Sequence, residues 1–155
     1  MLKRFDMIEC KPVKTPMVAM KNLDCENMIE NCKEYPYRQA IGSLLYLANG
    51  SRPDITYAVN ILSRKQTNFD NSDWIKVKRV FRYLKGTFNL GLQYKSEKDG
   101  LECFVDASLG MNDEAWKSTS GLVIMLFGDI ISWRSKKQSH VAEKNSFVLK
   151  KCVIN

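Results

Sequence analysis

The hydrophobic period of this chain changes once, near residue 88, and that change limits the architectures open to it. Upstream, apolar residues recur at helical spacing: Ala40, Ile41, Leu44, Leu45, Leu47 and Ala48, then Ile55, Ala58, Val59 and Leu62, then Trp74, Val77, Phe81 and Leu84. Downstream, the runs Leu90 to Tyr94, Leu101 to Val105, Leu122 to Phe127 and Ile130 to Trp133 are parted by Gly, Asp and charged turns, as strands are. A helical part followed by a mostly β part is an α+β arrangement.

Local signals place the boundaries. Pro36 stands at a helix start, Asn49-Gly50-Ser51 stops that helix, and Ser51-Arg52-Pro53-Asp54 restarts a second one, so the pair reads as a helical hairpin. Beyond the polar loop Gln66 to Asn71, Ser72 is the expected N-cap of a third helix, Asp73 complements its dipole, and Gly86 closes it. Residues 1–35 carry Pro12 and Pro16 without a sustained period and read as an irregular arm. Gly128-Asp129 predicts a tight antiparallel reversal. The apolar spacing of Val141, Phe147, Val148 and Cys152 predicts a closing helix over Val141 to Val153. The expected organisation is an arm at 1–35, a helical region at 36–87 and a sheet region at 90–155.

At 155 residues and 45% apolar content the chain can bury an ordinary core. Its longest apolar run, Leu122 to Phe127, is far below the ~20 residues a bilayer span needs. The N-terminal stretch lacks the apolar segment and small-residue cleavage site of a secretory signal. The expectation is an intracellular protein, cytoplasmic or nuclear, not secreted and with no membrane partner. Five cysteines form no Cys-x-x-Cys pair and His140 is the only histidine, which argues against structural zinc and for free thiols. A net charge of +7 favours anionic partners, nucleic acid first, although such a surplus also serves solubility.

Two places could carry chemistry. The third helix bears Lys76, Lys78, Arg79, Arg82 and Lys85, a basic surface that either lies against a phosphate backbone or is simply solvated. Asp106 ends the run Leu101-Glu-Cys-Phe-Val-Asp106, where a carboxylate can emerge from a sheet as a metal ligand; on isolated evidence it reads more readily as a turn residue capping Ala107-Ser108. Asp113 and Glu114 fall in the following loop. No glycine-rich phosphate loop is present, and His140 has no evident partner for a nucleophile–base pair.

Six strings add a resemblance: Leu2-Lys-Arg-Phe-Asp-Met-Ile-Glu-Cys-Lys-Pro-Val-Lys-Thr-Pro16, Tyr37-Arg-Gln-Ala-Ile-Gly-Ser-Leu-Leu-Tyr-Leu-Ala48, Arg52-Pro-Asp-Ile-Thr-Tyr-Ala58, Arg82-Tyr-Leu-Lys-Gly-Thr87, Lys117-Ser-Thr-Ser-Gly121 and Ile131-Ser-Trp-Arg-Ser-Lys-Lys-Gln138. In this order and spacing they resemble the C-terminal part of a copia-type retrotransposon Pol polyprotein, from the end of the reverse transcriptase segment into the ribonuclease H segment. The resemblance implies a thumb- or connection-like helical part that holds a template–primer duplex by its phosphates, with Lys76, Lys78, Arg79, Arg82 and Lys85 as contacts. It also implies the start of a ribonuclease H-like sheet, in which carboxylates bind two Mg²⁺ ions ~4 Å apart. Asp106 matches the first of those carboxylates.

The departures from the family pattern are as informative. The family's Asp-Ala-Asp-Trp-Ala-Gly is here Asp106-Ala-Ser-Leu-Gly-Met111, and an arginine before Lys-Ser-Thr-Ser-Gly is Trp116. Phe147 and Leu149 stand where the family's next glutamates belong, with Glu143 one helical turn earlier. The remaining ribonuclease H acids would follow Asn155, the palm's paired aspartates would precede Met1, and no Asp-Asp occurs in the chain. The resemblance thus implies a polyprotein fragment that is catalytically inactive alone, binds Mg²⁺ weakly, and retains sequence-independent affinity for RNA–DNA or DNA duplexes, with a longer Pol chain as a further partner. Two alternatives stay open: a residual Mg²⁺-dependent nuclease using Asp106 with Glu143 or Asp113, and a non-functional remnant of an insertion.

Overall fold

The computed structural model describes residues 1–18, 35–108, 118–139 and 150–154. The chain divides into two compact units, Met1–Gly91 and Leu92–Asn155.

The first unit is helical. Helix α1 (Tyr37–Gly50) buries Tyr37, Ala40, Ile41, Leu44 and Ala48, the stripe that the 3.6-residue period lays along one side. Gly50, expected to stop this helix, is its last residue. A 3₁₀ turn at Pro53–Ile55 then leads into α2 (Thr56–Ser63), which adds Ala58, Val59 and Leu62 to the same core. Helix α3 (Asn71–Gly86) completes it with Trp74, Val77, Val80, Phe81, Tyr83 and Leu84. Burying each large apolar side chain contributes about 1.5–3 kcal/mol, so this cluster is the main source of the unit's stability.

The start of α3 corrects the expected cap. Asp70, not Ser72, is the N-cap: its Oδ1 accepts from the Asp73 N–H at 2.8 Å, and the Asp73 carboxylate accepts in return from the Asp70 N–H at 3.4 Å. Ser72 lies inside the first turn and donates its hydroxyl to Asp70 Oδ1. A reciprocal capping box satisfies two end-of-helix donors where a lone serine would satisfy one.

Over its described residues 1–18 the N-terminal arm is irregular apart from a 3₁₀ turn at Leu2–Phe5, and it packs on the helices. The Phe5 ring stacks on Phe81 at 5.0 Å, Met7 is buried, and Val13 and Met17 cover the core from the same side. At the other end of the core, Tyr37 stacks on Phe69 at 4.4 Å and its hydroxyl donates to the Leu62 carbonyl at 2.9 Å. Burial, with Asp73 and Asp70 nearby, pushes the Tyr37 phenol far above its ordinary range.

The second unit holds a four-stranded antiparallel sheet in the order β3-β2-β1-β4, with β1 Leu101–Ser108, β2 Thr119–Leu126, β3 Asp129–Lys137 and β4 Lys150–Ile154. Three of the expected strands are present. Leu90 to Tyr94 is not a strand: it pairs with no strand among the described residues, and Leu90 and Tyr94 are exposed. The β2–β3 turn is Phe127-Gly128, one residue earlier than expected, since Leu126 pairs with Asp129 and both turn residues have positive φ. That conformation matches the right-handed twist of the flanking strands, and glycine supplies the second position without strain.

The expected closing helix is overturned at its end. Lys150–Ile154 is a strand that pairs with β1 from Leu101↔Ile154 to Val105↔Lys150. The physical reason is that β1 would otherwise present an edge of unpaired N–H and C=O groups, and pairing it outweighs a short helical spacing at this end of the chain. The rest of that segment, Val141 to Leu149, lies outside the described residues. No helix of the described residues is long and apolar enough to cross a membrane.

Candidate nucleic-acid interface

The buried side of α3 dictates where its cations go. With about 100° of rotation per residue, the core stripe leaves the opposite half of the helix to Lys78, Arg79, Arg82 and Lys85, with Lys76 at the far flank. The five residues expected to act together are divided by the fold into three groups.

Lys76 is tied down: its ammonium donates to Asp73 Oδ1 at 2.9 Å and to Ser72 Oγ at 3.3 Å. Arg79 and Arg82 are committed to the arm. The Arg79 guanidinium donates to Thr15 Oγ1 at 2.9 Å, and Arg82 Nε donates to the Lys11 carbonyl at 2.7 Å. The Val13 N–H reaches the Arg82 carbonyl at 3.4 Å. Gly86 allows this approach, since a Cβ there would sit 3.1 Å from Pro12 Cβ. Each guanidinium carries five N–H donors, so one bond to the arm fixes its orientation and leaves donors for an anion. Lys78 and Lys85 are half-exposed and have no partner among the described residues.

A second cluster carries no signal in residue spacing. Arg52, buried at the α1–α2 turn, makes a two-pronged ion pair with Asp54, Nε to Oδ1 at 2.9 Å and Nη2 to Oδ2 at 2.7 Å. The same guanidinium donates to the Thr87 carbonyl at 3.1 Å and to Thr87 Oγ1 at 2.6 Å, and the Tyr83 hydroxyl donates to Asp54 Oδ2 at 2.8 Å. Burial alone would raise the Asp54 carboxyl, but the hydrogen bonds from Arg52 and Tyr83 outweigh it and hold the carboxyl below the usual carboxylate range. The network binds the Arg52-Pro-Asp54 turn to the end of α3. Two of the strings that carry the family resemblance therefore meet in space and serve the fold.

The sheet repeats the pattern. Ser118 to Gly121 and Ser135 to Gln138 are neighbours on β2 and β3: Thr119 pairs with Lys137 and Gly121 with Ser135, the Gln138 N–H donates to the Ser118 carbonyl at 2.8 Å, and Gln138 Nε2 donates to Ser120 Oγ at 2.7 Å.

Asp106 lies within β1, two residues before its end, opposite Gly121, and is exposed. It stands inside the strand, not at its end or in a turn. No group of three or more His, Cys, Asp or Glu among the described residues is placed to hold a metal ion. Asp113, Glu114 and Glu143 lie outside the described residues. Among the described residues, Asp106 alone supplies fewer oxygens than a Mg²⁺ pair shares.

No protein-family model matches the chain, and no solved structure does. Curated relatives do match. The chain is 36% identical over 147 residues to the "Retrovirus-related Pol polyprotein from transposon TNT 1-94" of Nicotiana tabacum, covering 91% of this chain and 11% of that protein. It is 37% identical over 147 residues to the corresponding polyprotein from transposon RE1 of Arabidopsis thaliana, covering 94% of this chain and 10% of that protein. A shorter relative, "Secreted RxLR effector protein 161" of Plasmopara viticola, is 39% identical over 111 residues, covering 71% of this chain and 78% of that protein. The chain belongs to the family of retrovirus-related Pol polyproteins from transposons and spans about a tenth of the length of the polyproteins it matches.

Proposed function

We propose that this chain is a segment of a copia-type Pol polyprotein whose helical unit holds a nucleic-acid duplex, RNA–DNA or DNA, by its phosphates and without sequence preference. The supporting observation is the outer half of α3, which carries Lys78, Arg79, Arg82 and Lys85 with no acidic residue from Trp74 to Gly91. Cations spaced along one helix side at this density suit a backbone with a charge every few ångströms, and neutralising each phosphate releases condensed counterions. A longer Pol chain is the second partner, and the compartment is intracellular.

The second unit is read as the opening of a ribonuclease H-like sheet, supported by Asp106 on β1 and the consecutive antiparallel pairing of β1, β2 and β3. It is read as silent in hydrolysis, because Asp106 lacks a set of companion carboxylates among the described residues. The test is duplex binding followed by anisotropy across a salt series, together with RNA-strand cleavage in Mg²⁺. Affinity is expected to fall steeply with salt, and cleavage to be absent in both the parent chain and Asp106→Asn. Binding that ignores salt, or cleavage abolished by Asp106→Asn, overturns the respective half.

A further inference from the structure

The arm does more than cover the core. Its residues Lys11 and Lys14 are exposed and flank the points where the backbone is fastened to α3, namely Arg82 Nε on the Lys11 carbonyl, the Val13 N–H on the Arg82 carbonyl, and Arg79 on Thr15 Oγ1. Gly86 admits Pro12 at close range, so the arm runs along the helix in contact with its last turns. Neither Lys11 nor Lys14 has a side-chain partner among the described residues, and no Asp or Glu occurs from Cys10 to Val18 or from Trp74 to Gly91. Two stretches separated by more than fifty positions, each free of acid, are laid side by side by three hydrogen bonds.

We infer that the phosphate-binding surface is composite: Lys11 and Lys14 of the arm form one side, Lys78 and Lys85 of α3 the other, and Arg79 and Arg82 lie between them as rigid, pre-oriented guanidinium groups. This rests on the duplex-binding reading and adds to it that the arm is part of the interface. Fixing an arginine before the ligand arrives lowers the ordering cost of each contact, and planar guanidinium groups suit phosphate oxygens better than mobile ammonium groups do. Lys76, held by Asp73 on the far flank, is outside the surface. The partner chemistry is a polyanion of regularly repeating phosphates, and a duplex is favoured over an anionic membrane. A membrane-docking surface needs apolar residues beside its cations, whereas Val13, between Lys11 and Lys14, is packed against the core and the exposed Phe88 and Leu90 lie beyond the last cation of α3.

The experiment measures affinity of the full chain for a labelled RNA–DNA hybrid of about 20 base pairs across a potassium chloride series. Four proteins are compared: the parent, Lys11→Ala/Lys14→Ala, Lys78→Ala/Lys85→Ala, and Lys65→Ala/Lys136→Ala as a control of equal charge loss at exposed positions elsewhere. Each lysine contacting a phosphate contributes about 0.9 to the log–log salt slope, so both interface pairs are expected to lower it by about 2 and the control to leave it unchanged. Lys11→Gln/Lys14→Gln, with its melting midpoint matched to the parent, serves as the second arm variant. A slope lowered by the α3 pair but not by either arm variant overturns the composite surface and leaves the duplex reading standing. A parent chain that binds the hybrid with no salt dependence overturns the duplex reading itself. Salt-dependent binding to phosphatidylserine vesicles without binding to the hybrid overturns both.

Discussion

The two units manage apolar surface in opposite ways. Among the described residues of Met1–Gly91, α1, α2, α3 and the arm enclose sixteen buried apolar residues, and the buried Arg52 and Asp73 are both hydrogen-bonded. In Leu92–Asn155, Ser118 is the one buried residue among those described, and Val105, Leu126, Phe127 and Ile131 remain exposed. Helices bury a stripe against each other, so three of them and a strap close a core. A sheet has two faces, and β2, whose run Leu122 to Leu126 is apolar on both, can be satisfied only by layers on either side. Helical packing completes itself locally, whereas the sheet depends on what covers it.

The largest test of this contrast is Phe81→Ala against Ile131→Ala. Phe81 is fully buried and stacked on Phe5, so its loss is expected to cost about 3–5 kcal/mol in urea unfolding, while Ile131, half-exposed, is expected to cost under about 1 kcal/mol. Equal costs would abolish the distinction. Arg52→Ala is next. It leaves the Asp54 carboxylate without its guanidinium and the Thr87 groups without their donor, for an expected loss of about 2–3 kcal/mol seen as a lower urea midpoint for Trp74 fluorescence.

The same pair sets an acid dependence. The folded Asp54 carboxyl titrates below its unfolded value of about 3.9, so the unfolded chain binds more protons as the pH drops through that window. The contribution of the pair is therefore complete above the unfolded value and is lost as pH falls through the lowered folded one. Asp54→Asn is expected to lower stability at neutral pH and to flatten the acid limb of a pH-melting series.

Asp70→Ala removes the N-cap of α3 and is expected to cost about 1 kcal/mol, with Ser72→Ala costing less; the reverse order would restore Ser72 as the cap. The smallest effect is in the sheet unit. Phe127, an exposed aromatic at a left-handed turn position, has φ 53. Phe127→Asn is expected to raise stability slightly, by about 0.5 kcal/mol, seen as a small rise of the melting midpoint, because asparagine tolerates that conformation better.

How much of this was legible depends on distance along the chain. The stripes of α1 and α3 and the strands β1, β2 and β3 follow from neighbouring residues, and they stand where the periods place them. The Leu90 to Tyr94 and Val141 to Val153 segments carry equally regular patterns, yet the first pairs with no strand among the described residues and the end of the second is drawn into the sheet by β1. Asp106 stood out as a strand-borne carboxylate, but the residues that would decide its company are not its sequence neighbours. The basic residues of α3 were visible as a group; that Lys76 belongs to Asp73, and Arg79 and Arg82 to the arm, was not.

By itself the sequence determined the local periods, the change from helix to strand, the excess of cations and the strings that place the chain among transposon Pol polyproteins. Only the tertiary structure decided the partners: Arg52 with Thr87, Arg79 with Thr15, and β4 with β1. The stripes of α1 and α3 answer to interactions within a few residues, where pattern is sufficient. A charge or a strand edge answers to whichever group the folded chain brings within about 3 Å, and that is settled by packing across the whole unit.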